Sequence, residues 1–285
     1  MYDVIIIGAG PAGISAAIYA KRAGMNALVF HYGISEVEKA SKIDNYYGFQ
    51  DGILGDELFK TGIKQAKNIG VEVVEKEVID IEIENDSVFK VILTNEFYEA
   101  KTVILATGNK RIKPNIKGID EFEGKGISYC AICDGFFYRN KNVVVIGNGD
   151  FAINEANSLA NVTENVRILT NGMPKPVTEK FEVDTRAIKE VNGEEKIEYI
   201  EFQNGEKMNV DGIFIAEGTA GGMNFARKLG IATKDNNIVV NENMETNIKG
   251  IFACGNLTGG LLQISKAVYE GAKAGLQAVE HVKNM

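Results

Sequence analysis

Residues 4–13 have the sequence Val-Ile-Ile-Ile-Gly-Ala-Gly-Pro-Ala-Gly, and this stretch sets the fold class. Four consecutive apolar residues, all β-branched, are typical of a strand buried on both faces of a parallel sheet. The next residues, 14–22, have a helical pattern that stops at Gly24, and residues 27–30 form a second apolar run. The order strand, glycine turn, helix and strand predicts a βαβ unit of an α/β protein.

Each glycine of the turn has a mechanical task in a dinucleotide-binding site. Gly8 permits the tight turn, Gly10 lets the backbone approach a pyrophosphate, and Gly13 lets the helix pack close to the strand. The amide groups at the start of the helix would then hold the anion. A tight turn without any ligand is the alternative interpretation.

The residue that usually binds the ribose hydroxyls of a dinucleotide is acidic and follows the second strand. Here that position has His31 and Tyr32 instead. His31 is therefore either a contact to an adenosine or a surface residue.

A second copy of the same unit lies in mid-chain. We predict a strand over 142–146, a turn at Gly147-Asn148-Gly149, a helix over 152–161 and a strand over 166–169. Further strands are predicted over 71–83, 88–94, 97–102, 103–106, 188–191, 197–202, 211–216 and 251–254, and a long helical pattern over 260–283. The natural joints between two domains are the loops around 112–117 and 218–223.

Composition narrows the classes of function. The chain has 285 residues, with 31 Lys and Arg against 39 Asp and Glu, and its net charge of −8 argues against nucleic-acid binding. No apolar run approaches the length of a membrane span, and the N-terminus lacks the features of a signal peptide, so we expect a cytoplasmic protein that does not bind membranes. With only two histidines and three cysteines, a metal site is not expected.

Two of the three cysteines form a Cys-x-x-Cys pair, Cys130 and Cys133, followed at once by Asp134. Such pairs often have a lowered thiol pKa and exchange readily with other disulfides. Asp134 is positioned to donate or accept the proton that this exchange needs. The alternative is a pair of buried, inert thiols.

The segment around this pair, Ile127-Ser128-Tyr129-Cys130-Ala131-Ile132-Cys133-Asp134-Gly135-Phe136-Phe137-Tyr138-Arg139-Asn140, resembles the redox-active segment of the low-molecular-weight thioredoxin reductases. The similarity extends to residues 8–13, 44–48, 106–108 and 250–255. It implies two Rossmann-like, three-layer α/β domains, with an FAD-binding domain at 1–113 and 220–285 and an inserted redox-disulfide domain at 114–219. It also implies FAD as cofactor, thioredoxin as partner and a homodimer.

The resemblance also assigns roles to individual residues. Cys133 is expected to face the flavin, Cys130 to attack thioredoxin, and Asp134 to act as the acid and base. The implied cofactor-binding residues are Gly8, Gly10, Pro11, Ala12, Gly13, His31, Asn45, Val78, Thr107, Gly108, Gly255, Asn256, Gln263 and Ile264.

The mid-chain unit departs from the family where NADPH would bind. Ordinary members have arginines for the 2′-phosphate after the second strand of this unit, whereas this strand ends at Thr170 and Asn171. Phe151 stands where the pyrophosphate would approach, and Glu217 places a carboxylate nearby. In these departures the sequence resembles the ferredoxin-dependent flavin thioredoxin reductases, in which reduced ferredoxin donates the electrons. An NADPH- or NADH-dependent enzyme with a divergent site, and a flavin-bound redox sensor, are the alternatives.

Ferredoxins are typically acidic, so a ferredoxin-dependent enzyme needs a local basic patch. One candidate patch contains Lys110, Arg111, Lys113 and Lys117, and another contains Arg139 and Lys141. It is equally consistent with the sequence that these are solvated loop residues.

Departures also occur around the flavin. Asn256 replaces the usual aspartate but still offers hydrogen bonds. Leu262 replaces an arginine beside Gln263, and Cys254 is expected to be a buried small apolar residue.

Overall fold

The computed structural model describes residues 1–85, 88–108 and 113–285. The chain divides into two compact units. The first unit joins Met1–Lys110 to Gly221–Met285, and the second unit is Arg111–Ala220. Each unit has its own buried apolar core.

The first unit begins with a glycine turn between a buried strand and a helix, as predicted. The elements of this segment are β1 (Tyr2–Ile7), α1 (Pro11–Arg22), β2 (Ala27–His31), α2 (Gly55–Asn68), β3 (Glu72–Glu75), β4 (Asp80–Asn85), β5 (Val88–Ile92) and β6 (Phe97–Leu105). Strand β1 lies between β2 and β6 and is parallel to both, which is why Val4, Ile5 and Ile6 are fully buried.

The second unit repeats this arrangement. Its elements are β7 (Ile127–Ser128), α3 (Ala131–Asp134), β8 (Val143–Ile146), α4 (Asp150–Ala160), β9 (Val166–Leu169), β10 (Glu182–Asp184), β11 (Ile188–Gly193), β12 (Ile197–Phe202), β13 (Lys207–Asn209) and β14 (Gly212–Ile215). The order β10-β9-β8-β14-β7 forms a parallel sheet, and β11-β12-β13 forms an antiparallel sheet.

The chain then returns to the first unit. This segment supplies α5 (Gly222–Leu229), β15 (Thr233–Lys234), β16 (Asn237–Ile238), β17 (Ile251–Ala253) and α6 (Ile264–Lys283). Strand β17 pairs in parallel with the last residues of β6, whereas β5 pairs in antiparallel with the first residues of β6. The main sheet therefore has the order β3-β2-β1-β6-β5-β4, with β17 added beside β6. The expected mixed α/β fold of two Rossmann-like units is confirmed.

Four predicted elements are wrong in their bounds. The single strand predicted over 71–83 is two strands, because β3 pairs with β2 while β4 pairs with β5, and the buried residues Val78 and Ile79 turn the chain between them. The two strands predicted over 97–102 and 103–106 are one, β6. The last helix begins at Ile264 and not at Gly260, because Gly259 and Gly260 have positive φ.

Small residues allow α6 to lie directly on α1. A Cβ added at Gly271 would be 2.0 Å from the carbonyl oxygen of Ala12, and one at Gly275 would be 2.4 Å from that of Ala16. Since real Cβ atoms do not approach so closely, glycine is required at both positions. The contact fixes the start of α1, which contains Pro11, Ala12 and Gly13.

We expect Gly271→Ala to destabilise the protein by about 1–3 kcal/mol, because the added methyl group must push two helix backbones apart. Gly62→Ala is the matched control, since it lies within α2 and its Cβ would meet only the Ile14 side chain, at 3.5 Å. The control should gain roughly 0.5–1 kcal/mol from helix propensity. Denaturant unfolding measures both, and equal stabilities of the two variants would contradict the packing described.

Candidate functional site

The glycine turn of the first unit leaves the start of α1 open. Gly8 has φ +112°, and a Cβ there would lie 2.3 Å from the carbonyl oxygen of Ala106. A Cβ on Gly13 would lie 1.8 Å from the carbonyl oxygen of Gly8, whereas one on Gly10 would meet only Ser35 Oγ, at 3.8 Å. The backbone is therefore close-packed behind the turn and uncovered at Gly10.

The first turn of α1 offers amide groups without a compensating negative charge. Its residues, Pro11 to Ile14, include no acidic side chain, and Gly10 makes no side-chain cap. The amides of a helix N-terminus have no partner within the helix and favour an anion. The site thus fits the pyrophosphate of a dinucleotide.

His31 ends β2 and is half-buried, with its ring edge-on to Phe59 at 6.0 Å. Burial is the main cause that lowers the pKa of His31, which favours the neutral ring. Among the described residues, its buried Nδ1 has no hydrogen-bond partner. A buried ring nitrogen without a partner fits a polar ligand and argues for the adenosine interpretation of His31.

Two residues predicted to contact the same cofactor meet, although they are far apart in sequence. Asn45 Nδ2 donates a hydrogen bond to Gln263 Oε1 at 2.9 Å. Ile264, the first residue of α6, packs against the small core formed by Val37, Ile43 and Ile53.

The turn after β6 is tied to the start of α5. The amide of Gly222 donates to Thr107 Oγ1 at 2.9 Å, and that hydroxyl donates to the Gly108 carbonyl at 3.1 Å. Val78 is buried in the segment between β3 and β4.

The loop after β17 is held by charged residues that the sequence analysis missed. Gly255 has φ +82°, and its amide donates to Glu270 Oε2 at 2.9 Å. Lys266 Nζ donates to the Gly255 carbonyl at 2.6 Å and to Thr258 Oγ1 at 2.8 Å, and it lies 3.0 Å from Glu270 Oε2. These contacts fix the turn that contains Asn256.

A sequence signal for this network was available. Lys266 is a cation in the first turn of α6, where the helix dipole disfavours positive charge. Glu270 follows four residues later, on the same helix face. Such a pair at an unfavourable position indicates a local structural task.

Cys254, just before this loop, is fully buried. Burial is the main cause that raises the pKa of its thiol, and the negative charge of Glu270 adds to the effect. The expectation of a packed, unreactive cysteine is confirmed in these respects.

The second unit contains a disulfide between Cys130 and Cys133, whose Cα atoms are 5.3 Å apart. Cys130 ends the segment after β7 and caps α3, and its Sγ accepts a hydrogen bond from the Cys133 amide at 3.2 Å. Cys130 is buried, whereas Cys133 is exposed. Attack on a partner by Cys130 therefore requires a conformation in which Cys130 is uncovered.

Ser128 links the Cys-x-x-Cys pair to the predicted acid and base. This buried residue donates from Oγ to Asp134 Oδ2 at 2.6 Å and accepts from the Cys130 amide at 3.1 Å. Ser128 thus holds the carboxylate of Asp134 beside the disulfide. Its position two residues before the first cysteine gave no specific signal.

The second glycine turn keeps its backbone geometry but not its open helix start. A Cβ on Gly147 would lie 2.2 Å from the Ala216 carbonyl oxygen, as expected for a tight turn between strands. However, Asp150 opens α4 and places a carboxylate in its first turn, and Phe151 is buried. The helix start is thus already supplied with negative charge.

The ends of β9 and β14 are also closed by contacts within the unit. Thr170 is buried, and its hydroxyl donates to the Met173 carbonyl at 2.6 Å. Asn171 Oδ1 accepts from the Ile188 amide at 2.8 Å. Burial is the main cause that raises the pKa of Glu217, while a hydrogen bond with Asn171 lowers it.

The two candidate basic patches differ in their ion pairs. Lys113 pairs with Asp120 and lies 3.5 Å from Glu123, and Lys117 pairs with Glu190 at 2.7 Å. Lys110 and Arg111, like the start of the joint predicted at 112–117, lie outside the described residues.

Arg139 and Lys141 contact aromatic rings, and neither pairs with a carboxylate among the residues that the structure describes. The Arg139 guanidinium lies 5.0 Å from the ring centre of Phe136, and Lys141 Nζ lies 5.6 Å from that of Tyr138. Both basic residues are exposed.

The described part of the chain has neither a cluster of metal-binding side chains nor a helix that could span a membrane. No group of three or more His, Cys, Asp or Glu side chains is arranged to hold a metal ion there. None of the helices in those residues has both the length and the apolar character that a bilayer span requires.

A nucleotide-type glycine turn in one Rossmann-like unit and a Cys-x-x-Cys disulfide in the other define a disulfide oxidoreductase that uses a dinucleotide cofactor. The chain belongs to the pyridine nucleotide-disulphide oxidoreductase family, whose model matches residues 2–271. Within that family it is a flavin disulfide oxidoreductase of the thioredoxin reductase type.

The relatives support this placement over the whole chain. The chain is 34% identical to the thioredoxin reductase of Listeria innocua, covering 100% of this chain and 95% of the relative. It is 36% identical to the thioredoxin reductase of Aquifex aeolicus, over 97% of this chain and 92% of the relative.

Solved structures agree in fold. The atypical thioredoxin reductase TRi of Desulfovibrio vulgaris Hildenborough has a TM-score of 0.91 at 38% identity, covering 100% of this chain and 99% of that one. A ferredoxin-flavin thioredoxin reductase of Clostridium acetobutylicum has a TM-score of 0.73 at 34% identity, with the same coverage.

We expect Lys266→Met to destabilise the protein by about 3–5 kcal/mol, because it leaves the buried carboxylate of Glu270 without its cation. Lys266→Met combined with Glu270→Gln should recover most of this loss, since glutamine still accepts the hydrogen bonds from Gly255 and Thr258. Denaturant unfolding of the two single variants and the double variant gives the coupling energy. Additive effects would show that the pair does not hold the loop.

Proposed function

We propose that this chain is an FAD-dependent thioredoxin reductase of the cytoplasm that takes its electrons from reduced ferredoxin. The observation that carries the choice of donor is the charge and burial at the start of α4 and at the ends of β9 and β14, where NADPH would bind. Phe151 and Thr170 are buried there, and Asp150 and Glu217 add carboxylates. An anionic dinucleotide would meet like charge, and no arginine directly follows β9 to bind its 2′-phosphate. The similarity to a protein described as a ferredoxin-flavin thioredoxin reductase supports the same choice.

We assign the FAD domain to residues 1–113 and 220–285 and the redox-disulfide domain to 114–219. The division of the chain into two compact units supports this assignment. The open start of α1, with Gly8, Gly10 and Gly13, suits the pyrophosphate, and the buried nitrogen of His31 suits the adenosine. The rest of FAD, which includes its flavin ring, would be held by Asn45, Gln263 and the loop at Gly255 and Asn256. A homodimer is part of the proposal by family resemblance alone.

Bound FAD would supply the conversion between one-electron transfer from ferredoxin and two-electron reduction of a disulfide. The driving force is sufficient, since plant-type ferredoxins lie near about −400 mV and thioredoxin near about −270 mV. A gap of about 130 mV over two electrons corresponds to about 6 kcal/mol.

The residues of the second unit account for the exchange with thioredoxin. Two electrons and two protons convert the Cys130–Cys133 disulfide to two thiols. Asp134 accepts the proton of the Cys130 thiol, the Cys130 thiolate attacks the thioredoxin disulfide, and the first thioredoxin thiolate leaves and takes this proton back from Asp134. Cys133 then loses its proton to Asp134 and attacks the mixed disulfide at Cys130; the second thioredoxin thiolate leaves and takes that proton, and the Cys130–Cys133 bond is restored. Ser128 keeps Asp134 in reach of these sulfurs through its hydrogen bond of 2.6 Å.

The second candidate function is an NADPH- or NADH-dependent thioredoxin reductase with a divergent nucleotide site. The retained glycine turn favours it, because Gly147 still allows the close approach to Ala216 that such turns need. If a nucleotide displaced the side chains of Asp150 and Phe151, its phosphates could bind the backbone amides at the start of α4.

Anaerobic titration separates the two donors. We expect stoichiometric NADPH or NADH to leave the oxidised flavin absorbance unchanged on the time scale of turnover, whereas photochemically reduced ferredoxin should bleach it. The arginines that would bind the 2′-phosphate are absent, and each charge-assisted hydrogen bond lost with them weakens NADPH binding by about 1.5–3 kcal/mol. Rapid bleaching by NADPH would refute the ferredoxin assignment.

Cys133→Ser is the control for the disulfide step. This variant should retain FAD and accept electrons from ferredoxin, but it should not reduce thioredoxin.

For the docking of ferredoxin, we propose the surface formed by Arg139 and Lys141, because neither forms an ion pair within the described residues. Arg139→Gln with Lys141→Gln should slow flavin reduction by ferredoxin roughly tenfold at low salt. The effect should shrink at high salt, where exposed charges are screened. Stopped-flow absorbance measures this rate without thioredoxin.

Lys113→Gln with Lys117→Gln is the matched control, since it removes two positive charges that already have acidic partners. A larger effect of the control pair would place ferredoxin at the other patch.

A further inference from the structure

The hydroxyl group of Ser128 has a defined direction, because its three contacts differ in length. Its oxygen lies 2.6 Å from Asp134 Oδ2, 3.1 Å from the Cys130 amide nitrogen and 3.4 Å from the Cys130 carbonyl oxygen. A serine hydroxyl has one hydrogen to donate. Since hydrogen bonds from a hydroxyl to an oxygen are usually about 2.5–3.0 Å long, this hydrogen points to Asp134, and the Cys130 carbonyl is the weaker acceptor.

Ser128 is held rigidly, whereas the carboxylate that it contacts is not. Ser128 is buried on β7, where it pairs with Phe214 of β14. Asp134 is the last residue of the four-residue helix α3 and is half-buried, and its carboxylate can turn about two side-chain torsions. Among the described residues, its carboxylate accepts a hydrogen bond from Ser128 alone. This bond therefore sets the direction of the carboxylate.

The Cys-x-x-Cys turn is also held by contacts that do not involve Ser128. The Ala131 amide donates to Oε2 of the buried residue Glu155, on α4, at 2.8 Å. The Cys133 amide donates to Cys130 Sγ at 3.2 Å. Loss of the Ser128 hydroxyl would leave these two contacts in place, so its effect on the carboxylate can be measured apart from the fold of the turn.

We propose that Ser128 is a positioning residue that binds Asp134 Oδ2 throughout the disulfide exchange and thereby makes Oδ1 the oxygen that carries the proton. A proton on Oδ1 leaves Oδ2 free to accept, so the bond to Ser128 survives in the carboxylate and in the carboxylic acid. A proton on Oδ2 would instead turn the Ser128 hydrogen to the Cys130 carbonyl, at 3.4 Å. The inference rests on the proposed role of Asp134 as the acid and base of the exchange.

Four variants separate this role from a purely structural one. Ser128→Ala removes the hydroxyl, and Ser128→Thr keeps it. Asp134→Asn keeps an oxygen that accepts from Ser128 but cannot carry the proton. The matched control is Thr163→Val, which removes another buried hydroxyl of the same unit. That hydroxyl likewise accepts from the amide two residues later, of Asn165, at 3.3 Å, and donates to the Lys141 carbonyl at 2.8 Å.

The measurement is a single turnover that needs neither thioredoxin nor an electron donor. The FAD-loaded full chain is reduced with a phosphine, separated from it and mixed anaerobically with bis(2-hydroxyethyl) disulfide. The two cysteine thiols give up two electrons and two protons, the Cys130–Cys133 bond forms, and the small disulfide leaves as two thiols. Samples are quenched with acid and alkylated, and mass spectrometry follows the loss of the Cys130 and Cys133 thiols.

Asp134→Asn should slow this oxidation about a hundredfold, at the lower end of the range for general acid–base catalysis. Ser128→Ala should slow the enzyme roughly tenfold while Asp134 is present, but it should not slow the Asp134→Asn variant further, because the hydroxyl acts through the carboxylate. Ser128→Thr should retain most of the rate of the unaltered chain. Thr163→Val should leave the rate unchanged.

Equal slowing by Ser128→Ala with and without Asp134→Asn would overturn the proposal, since the hydroxyl would then support the turn and not the carboxylate. A rate unchanged by Ser128→Ala or by Asp134→Asn would also overturn it. So would failure of Ser128→Ala to fold, because the hydroxyl would then be needed for structure. Failure of the proposed function is a separate result, in which the unaltered chain reduces the small disulfide but does not reduce thioredoxin.

Discussion

The close approach of backbone to backbone around the first glycine turn is the constraint on which the rest of the first unit depends. Gly8 lies against Ala106, Gly13 lies against Gly8, and Gly271 lies against Ala12. No side chain fits at these contacts, so β1, α1, β6 and α6 are held at fixed distances. The helix starts of α1 and α6 and the loop after β17 are thereby placed together. The network of Lys266, Thr258 and Glu270 then needs only to fix the loop itself.

The parts of this protein that could be predicted from sequence are those that local spacing determines. The two glycine turns, the Cys-x-x-Cys pair and the strands β11 and β12 each occupy a short segment with its own pattern. The strand predicted over 71–83 was wrong for the converse reason. Continuous apolar character indicates burial, but it does not tell which neighbour a strand pairs with, and β3 and β4 pair with different neighbours.

The same limit explains which site residues were missed. Ser128 has its task because its hydroxyl contacts both the Cys130 amide and Asp134, and Glu155 has its task because α4 lies on α3. Asn45 and Gln263 were expected to contact the same cofactor by resemblance, and their direct hydrogen bond joins parts of the chain 218 residues apart. Spacing within one element carries no information on such contacts. Of the missed residues, Lys266 alone is detectable from the sequence, because a positive charge in the first turn of a helix is electrostatically unfavourable.

The two βαβ units show how one backbone design can be given opposite electrostatic character. Helix α1 begins without an acidic residue, so its amides remain available to an anion. Helix α4 begins with Asp150, so the same kind of helix start already carries a negative charge. Helix α4 also supports the Cys-x-x-Cys segment, because Glu155 accepts a hydrogen bond from the Ala131 amide. Two carboxylates of the same helix thus have different tasks, since Asp150 lies at the helix start and Glu155 supports the segment that follows Cys130.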